Sequence, residues 1–363
     1  MKRNKKIMLS ITIGVFSLIA MLILGFILFY NINLKAVSNN SLEVDFMVES
    51  GSTYYTTISK LKEEGLIRNE LCFKLYIKFN KVNDLEAGTY KLNKNMSVKD
   101  IVNEFSKGNT YNPDAIVITF KEGKHMRNIA YTISKFTNNT QDDVFNLLKN
   151  QDYLNALINE YWFIDDIVLN TNIYYSLEGY LYPNTYEFKN KDVSVEEIFK
   201  TLLDEMDKRL ADYKNDILNS KYTAHEILTL ASVVELEGAN SDDRAGIAGV
   251  FYNRLNNNIQ LGSDVTTYYA AKIEMSDRDL YHSEINDKNY YNTRSSYLAG
   301  KLPIGPIANP SIKSIEAVLY PEQHDYFYFV ADKNGKTYFS KTYNEHINIR
   351  NDLIEAGLWY TYE

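Results

Sequence analysis

A long apolar run stands at the start of the chain, and short mixed patterns follow it. No Asp, Glu, Lys or Arg occurs from Ile7 to Leu34, and this run exceeds the ~20 apolar residues that cross a bilayer as a helix. A cleaved signal peptide would have an apolar core of only about 7–15 residues and a small-residue cleavage site, and "KAVSNN" matches such a site weakly. The pattern therefore predicts a retained membrane-spanning helix at residues 7–34, a tail at 1–6 and a linker at 35–42.

The pattern over residues 43–110 predicts a small unit with the order β–α–α–β–α. "LEVDFMVES" and "EAGTYKL" alternate as strands. "STYYTTISKLKEEG" predicts a helix capped by Ser52, and "SVKDIVNEFSKG" predicts a helix between a cap at Ser97 and a stop at Gly108. "NELCFKLYIKF" is typical of a helix, although its mixed pattern leaves a strand open. On pattern alone this unit is either a spacer or a small binding module.

Residues 111–363 form a larger unit in which strands and helices mix without a regular β–α repeat. "AIVITF" predicts a strand, and "SLEGYLYPNTYEF" is too irregular for a helix. The stretch from "YFYFVAD" to "TYFSKTY" predicts a hairpin with a type I′ turn at Asn334 and Gly335. Together these patterns indicate the α+β class rather than a doubly wound sheet. Helices are predicted at about 125–137, 142–150, 195–212 and 242–255, the last with Ser241 as its cap and Asp242 and Asp243 in its first turn.

The stretch "ILTLASVVELEG" predicts a buried helix that ends in two carboxylates. Thr223 is its expected N-cap, and four apolar residues at helical spacing form one stripe. Glu235 and Glu237 lie on opposite flanks of the helix, because two residues advance about 200° around its axis. They cannot easily serve one substrate atom together, so if one of them is functional the other is expected to be structural. The stripe consists of Ile227, Leu230, Ala231 and Val234.

Glu237 is the better candidate for an acid. It lies in the last turn, where the helix dipole disfavours a carboxylate by roughly 0.3–1 kcal/mol and partial burial would raise its pKa further. A carboxyl group that keeps its proton near neutral pH is what general-acid cleavage of a glycosidic bond needs. The alternative is that both glutamates are solvated side chains at a helix end.

Composition and charge exclude several classes of protein. A formal net charge of -8 argues against nucleic acid, whose phosphates need clustered Lys and Arg. The single cysteine, Cys72, rules out an internal disulfide framework and is expected to be buried and inert. The five histidines show no metal-ligand spacing, and the chain has no Walker loop, dinucleotide fingerprint or G-x-S-x-G elbow. No cofactor or metal is therefore expected. The basic start "MKRNKK" predicts a cytoplasmic N-terminus, with the remainder of the chain outside the membrane.

Several linked motifs together resemble one family. "ASVVELEG", "DRAGIAGVFYNRL", "LGSDVTTYY" and "LPIGPIANPSIKSIEAVLYP" follow one another closely, and "EAGTYKL", "EGKHMRNIA" and "SLEGYLYPNTYEF" precede them. This set resembles the endolytic murein transglycosylases, the YceG-like family of bacterial cell-wall enzymes. The resemblance covers nearly the whole chain after the anchor. It implies a membrane-anchored enzyme with a LysM-like small subdomain at 43–110, for which a wall-binding role is the functional alternative to a spacer, and a catalytic domain at 111–363.

The resemblance also implies roles for individual residues. The second glutamate of the family's A-S-[IV]-[IV]-E-x-E motif is catalytic and falls on Glu237, which leaves Glu235 structural. Arg244 and Arg254 match further motif positions, with roles either on a helix surface or in shaping the cleft. The chain departs from the family's Q-[ST]-D-P-T-x-x-Y-G at its Gln, Pro and final Gly. Asn309 matches a turn motif, where a conformational role is expected. The implied substrate-binding residues are Asp264, Thr266, Tyr269, Asn253, Glu178 and Tyr186.

The implied reaction is cleavage of the β-1,4 bond from N-acetylmuramic acid to N-acetylglucosamine, leaving a 1,6-anhydro end and terminating nascent glycan strands. Two alternatives stay open. One is a muramidase that uses Glu237 and Asp264 as paired carboxylates about 5–10 Å apart. The other is an anchored wall-binding scaffold without activity. Peptidoglycan strands are the expected partner, and the family suggests glycan polymerases of elongation or division as protein partners.

Overall fold

The computed structural model describes residues 2–108, 110–238 and 243–359. The chain divides into two compact units, Met1–Asp114 and Ala115–Glu363. The first unit begins with helix α1 (Lys2–Asn33), and the stretch Ile11–Asn33 within it has a mean hydropathy of 2.7. This stretch is long and apolar enough to cross a membrane, in agreement with the helix predicted at 7–34.

The rest of the first unit has the predicted order β–α–α–β–α. "NELCFKLYIKF" forms a helix, with Asn69 as its N-cap. Strands β1 and β2 pair antiparallel, with Phe46 opposite Tyr90. Ser97 caps α4 as expected, and Gly108 ends it with a φ of +62°. A Cβ at Gly108 would lie 2.6 Å from the Glu86 carboxylate, so both the positive φ and this close approach favour glycine here. The elements are β1 (Val44–Val48), α2 (Tyr54–Glu63), α3 (Glu70–Phe79), β2 (Gly88–Leu92) and α4 (Val98–Lys107).

The predicted cap of α2 at Ser52 is wrong by one residue. Thr53 is the N-cap, and its hydroxyl accepts a hydrogen bond from the backbone N–H of Thr56. Thr56 donates its own hydroxyl back to the Thr53 carbonyl, and the Thr53 N–H donates to the Thr56 hydroxyl. Ser52 instead donates its backbone N–H to the Glu49 carbonyl in the preceding turn. Both residues are good caps, and the reciprocal contact with Thr56 favours the second of them.

The second unit is a mixed fold of short strand pairs and many helices, as the α+β prediction expects. Strand β3 pairs antiparallel with β4, and β5 pairs antiparallel with β6. Its elements are β3 (Ile116–Thr119), α5 (Met126–Phe136), α6 (Gln141–Leu147), α7 (Gln151–Glu160), β4 (Thr185–Phe188), α8 (Val195–Leu210), α9 (Lys214–Leu218), α10 (Ala224–Glu237), α11 (Arg244–Asn256), α12 (Asp264–Ala271), α13 (His282–Ile285), α14 (Ile312–Leu319), β5 (Tyr328–Ala331), β6 (Thr337–Ser340) and α15 (Tyr343–Glu355).

The C-terminal hairpin is present, but the predicted type I′ turn is wrong. That turn needs positive φ at both central residues, and only Gly335 of the pair has it, with a φ of +82°. The Asp332 carboxylate accepts hydrogen bonds from the backbone N–H groups of Asn334 and Lys336, at 2.8 and 3.1 Å. These bonds hold the chain in a wider loop, in which Gly335 takes the left-handed position after an ordinary turn.

Helix α10 lies at the centre of the second unit. Its predicted N-cap is confirmed: the Thr223 hydroxyl accepts from the Glu226 N–H, and Glu226 bonds back. The prediction of a single apolar stripe is too narrow, because His225 and every residue from 227 to 234 are buried. Helices α11, α12 and α14 all pack against α10 and cover it from several sides. A helix covered in this way can hold a polar side chain at its end in a fixed position.

Helix α10 ends at its second glutamate, and Gly238 is its C-cap. A Cβ at Gly238 would lie 2.8 Å from the Arg244 side chain and 3.0 Å from the Val234 carbonyl oxygen, so glycine allows this close approach. Helix α11 begins at Arg244, with Asp243 at its N-cap rather than in its first turn. Ser241 and Asp242, predicted as the cap and the first turn of this helix, lie outside the described residues.

Candidate active site

Glu237 is the last residue of α10 and is partly buried. The Ser263 hydroxyl donates a hydrogen bond to its Oε1 at 2.5 Å. Burial raises the pKa of Glu237, and the negative charge of Asp264 acts in the same direction. The Ser263 bond and the guanidinium groups of Arg254 and Arg294 oppose this rise in the pKa. The carboxyl group is therefore held between influences that favour its acid form and influences that favour its anion.

The loop before α12 brings Ser263 to Glu237. The Arg254 guanidinium, on α11, donates to the carbonyl oxygens of Leu261 and Phe327 at 2.5 and 2.6 Å, so it connects this loop to the residue just before β5. The Gly262 N–H donates to the Thr293 carbonyl at 2.9 Å. Gly262 has a φ of +67°, and a Cβ there would lie 2.8 Å from an Arg254 nitrogen. Gly262, which stands in place of the Gln of the family motif, therefore fits the backbone conformation of this loop.

Asp264 and Thr266 lie on the first turn of α12 and have different surroundings. The Asp264 side chain is 56% exposed and forms an ion pair with Arg294. Thr266 is fully buried, and its hydroxyl donates to the Ser263 carbonyl at 2.7 Å. Its hydroxyl also lies 2.7 Å from that of Thr293. Thr266 therefore holds the residue that bonds Glu237, whereas Asp264 faces solvent next to the acid.

Tyr269 and Glu178 meet beneath α12 in the core. The Tyr269 hydroxyl donates to Glu178 Oε2 at 3.0 Å, and the Met126 N–H donates to the same oxygen at 2.9 Å. The Asn309 amide donates to the other oxygen at 3.4 Å. Glu178 is only 1% exposed, and burial raises its pKa from 4.5 to about 8. This buried carboxyl group joins α12 to α5 and to the turn at Asn309, the residue for which a conformational role was expected.

The other two predicted substrate residues contact different segments. The Asn253 side-chain amide donates to the carbonyl oxygens of His324 and Tyr326, at 2.8 and 2.9 Å. Asn253 also lines a cavity of about 510 Å³ between α11 and the C-terminal end of α14. Tyr186 is buried in β4, and its hydroxyl donates to the Tyr182 carbonyl at 2.7 Å. Contact of either residue with a substrate stays a prediction.

Glu235 has a closed set of partners on the other flank of α10. Its carboxylate accepts from Arg244 at 2.9 Å, and from the N–H and the hydroxyl of Ser311 at 2.9 and 2.6 Å. The Ser314 hydroxyl adds a fourth bond at 2.7 Å. The Glu235 and Arg244 side chains are 6% and 11% exposed. A helix-surface role for Arg244 is therefore wrong, because the ion pair with Glu235 draws the guanidinium into the core.

Comparison with known proteins identifies the family of this chain. A model of the YceG-like family matches residues 46–351. This chain belongs to the YceG-like family. The endolytic murein transglycosylase of Bacillus subtilis (strain 168) is 36% identical over 316 residues, which cover 86% of this chain and 85% of that protein. The protein of the same name from Streptococcus pneumoniae serotype 2 (strain D39) is 33% identical over 321 residues, covering 85% of this chain and 58% of its own length.

A solved structure of a YceG-like protein supports the assignment. The crystal structure of a putative yceG-like protein from Listeria monocytogenes matches with a TM-score of 0.60 and 34% sequence identity. The match covers 85% of this chain and all of that one. These findings confirm the family resemblance that the sequence motifs predicted.

Two residues at this site, Ser263 and Arg294, were not identified from the sequence. Ser263 precedes Asp264 at the [ST] position of the family motif, so a signal for it was present. Arg294 lies 30 positions from Asp264, and "YNTRSS" carries no pattern that would select it. Among the described residues, no group of three or more His, Cys, Asp or Glu side chains is placed to hold a metal ion.

Proposed function

We propose that this chain is an endolytic murein transglycosylase that cleaves peptidoglycan with Glu237 as its acid and base. The observation that carries the proposal is the partly buried carboxyl group at the end of α10, which has a raised pKa and accepts a hydrogen bond from Ser263. Membership of a family with relatives named for this activity supports it. The substrate is the β-1,4 bond from N-acetylmuramic acid to N-acetylglucosamine.

In the first step the protonated Glu237 donates its proton to the glycosidic oxygen. The bond from this oxygen to the anomeric carbon of the muramoyl residue breaks, and positive charge develops on that carbon as in an oxocarbenium ion. The N-acetylglucosamine side leaves with a free hydroxyl group. Burial and the neighbouring Asp264 support this step, because both raise the pKa of Glu237 and keep it protonated.

In the second step the same side chain, now ionised, removes the proton of the muramoyl 6-hydroxyl. The 6-oxygen attacks the anomeric carbon and closes a 1,6-anhydro ring, so Glu237 regains its proton and no water is consumed. Ser263, Arg254 and Arg294 stabilise the Glu237 anion that exists between the two steps. Burial raises the pKa of Glu237 and so makes this anion a stronger base in the second step. Opposing influences on one pKa suit a group that must act as an acid and then as a base.

A muramidase with two carboxylates is the second candidate, and Asp264 is its second acid. Asp264 is exposed next to Glu237, which favours this candidate, but its carboxylate is already paired with Arg294. A nucleophile or base would have to leave that ion pair to reach a sugar or a water molecule. A binding scaffold without activity would not need an acid whose pKa is raised.

Digestion of purified murein in water enriched in oxygen-18 separates these candidates. A transglycosylase releases anhydro ends that are lighter than reducing ends by one water and carry no heavy oxygen. A hydrolase releases reducing ends that carry oxygen-18. Mass spectrometry of the muropeptides measures the mass of the new ends and their oxygen-18 content. New reducing ends that carry oxygen-18 would overturn the transglycosylase proposal.

We further propose the arrangement of the chain in the cell envelope. Helix α1 anchors the protein, with residues 1–6 in the cytoplasm and the catalytic domain at 111–363 outside, because basic residues precede the apolar run. Residues 43–110 act as a LysM-like subdomain that contacts the glycan. The enzyme terminates nascent strands beside glycan polymerases of elongation or division. Protease protection of tagged termini in spheroplasts tests the orientation.

A further inference from the structure

The segment after α1 is bonded onto the small subdomain. The Leu34 carbonyl accepts from the N–H of Val98 at 3.0 Å, and the Ser38 N–H donates to the Lys94 carbonyl at 3.0 Å. The Arg68 guanidinium donates to the carbonyl oxygens of Ala36 and Val37, at 2.6–3.1 Å. The first residues of the predicted linker at 35–42 are therefore bonded to the subdomain, so the subdomain lies directly at the end of α1.

Helix α3 is the part of the subdomain that lies beside this end of α1. Arg68, which bonds Ala36 and Val37 just after α1, lies two residues before α3 begins at Glu70. Tyr76 and Leu34 both pack against the apolar core of the subdomain. Since the stretch long enough to cross a membrane ends at Asn33, the start of α3 lies near the level where that stretch ends.

One face of α3 carries an apolar stripe that the subdomain does not cover. The α3 stripe consists of Leu71, Leu75 and Phe79, at positions i, i+4 and i+8. Leu71 is 56% exposed, Phe79 is 74% exposed and Leu75 is half-buried. Leu71 lies in the first turn of α3, the end of the helix that follows Arg68. The stripe therefore begins at the end of α3 that lies near the end of α1.

Basic side chains accompany the α3 stripe. Lys74 and Lys78 lie on α3 between the apolar positions, and Lys81 follows its end; all three are exposed. The acidic Glu70 on the same helix pairs with Lys74 at 3.7 Å. An apolar stripe flanked by Lys is typical of helices that lie in the interface of a bilayer with anionic headgroups.

We propose that the α3 stripe inserts into the outer interface of the membrane that α1 spans. Leu71, Leu75 and Phe79 enter the boundary between headgroups and acyl chains, and the three lysines contact anionic headgroups. The subdomain then has two attachments to the bilayer, the end of α1 and α3. This inference rests on the proposed anchoring by α1, and it is independent of the proposed reaction at Glu237.

The test uses the full chain in lipid nanodiscs that contain phosphatidylglycerol. A Phe79→Cys variant carries an environment-sensitive fluorophore, and a Lys107→Cys variant, at the far end of α4, carries the same fluorophore as a matched control. Cys72 is buried, so the unchanged chain measures the labelling background. With nitroxide lipids in the disc, we expect quenching at position 79 to exceed that at position 107 by about twofold or more.

Changing the stripe and the lipid sharpens the result. Leu71→Ser with Leu75→Ser, added to Phe79→Cys, is expected to abolish the excess quenching, while circular dichroism checks that the chain stays folded. Replacing phosphatidylglycerol by phosphatidylcholine is expected to reduce it, because the lysines lose their anionic partners.

Three results would overturn the inference. One is equal quenching at positions 79 and 107, and another is a label at 79 that murein sacculi shield but lipids do not quench. The third is a chain that fails to stay with the discs, which would overturn the anchor as well. Murein cleavage is measured separately on the same samples, so a failure of the proposed reaction is distinguishable from each of these.

Discussion

Glu235 and Glu237 leave the same turn of α10 and enter opposite kinds of surroundings. The Glu235 carboxylate has four hydrogen bonds, including an ion pair with the buried Arg244. Among the described residues, the Glu237 carboxyl has one bond, from Ser263, and burial raises its pKa. The first arrangement fixes a charge in place, and the second leaves a proton free to move. The difference indicates that the burial of a carboxyl group does not define its role, whereas its set of partners does.

The comparison is tested most strongly by Glu237→Gln. The amide keeps the size and the polarity of the side chain but can neither donate the proton nor remove one. We expect release of anhydro muropeptides to fall by a factor of about 10²–10⁴. Binding to murein sacculi and the thermal unfolding midpoint are expected to stay within error of the unchanged chain.

The product assay is mass spectrometry of digested murein, and the binding assay is co-sedimentation with sacculi. Exposed Glu187→Gln on β4 serves as a control that removes a carboxylate elsewhere. A Glu237→Gln variant that cleaves at the rate of the unchanged chain would remove Glu237 from the mechanism.

The reciprocal change, Glu235→Gln, is expected to act on stability. It removes the charge that pairs with Arg244, whose side chain is 11% exposed. Breaking a buried ion pair by removing one partner costs about 3–5 kcal/mol, because the remaining charge is left uncompensated. Thermal unfolding measures the loss. Cleavage per folded molecule should fall less than tenfold, and a larger fall at unchanged stability would place Glu235 in the reaction.

The contrast between the two glutamates was predictable only in part from the sequence. The 3.6-residue period placed Glu235 and Glu237 on opposite flanks, and the capping pattern at Thr223 was confirmed. The surroundings of the two side chains could not be predicted, because Ser311 and Ser314 bond Glu235 from distant positions in the chain. Arg294 likewise pairs with Asp264, next to Glu237, from 30 positions away. Such contacts depend on how the segments after α10 fold back onto it.

The same limit applies to Glu178 and to the hairpin. The motif indicated that Glu178 mattered, but its burial under Tyr269 depends on the packing of α12. The turn at Asn334 and Gly335 fits a type I′ turn by composition. The Asp332 side chain selected another conformation through bonds that the dipeptide alone does not encode.

Glu178 provides a third environment, a buried carboxyl group whose raised pKa affects stability. Its pKa is about 8 in the folded chain against an ordinary value of 4.5. Between these pH values the folded state holds a proton that the unfolded state has lost, so unfolding releases it and stability falls as pH rises. We expect the free energy of unfolding to fall through this window by an amount on the order of 4 kcal/mol.

Glu178→Gln is expected to remove that pH dependence, because the amide cannot ionise. Thermal unfolding of both chains at several pH values between 5 and 9 measures the difference. The exposed Glu187→Gln should leave the slope unchanged. Equal slopes for the Glu178→Gln variant and the unchanged chain would show that Glu178 is ionised in the folded state throughout.

The smallest expected effect comes from the two serines that bond the two glutamates. Ser263→Ala removes a bond that stabilises the Glu237 anion, so the pKa of Glu237 rises further and cleavage persists to higher pH. The rate at low pH should change by less than about tenfold, because one neutral hydrogen bond contributes only about 1 kcal/mol. Ser311→Ala removes a bond of 2.6 Å from Glu235 and is its counterpart. It should lower the unfolding midpoint and leave the pH profile of cleavage unmoved. If both serine variants shifted the pH profile alike, the two carboxyl groups would act as one coupled site, and the division between a fixed charge and a mobile proton would fail.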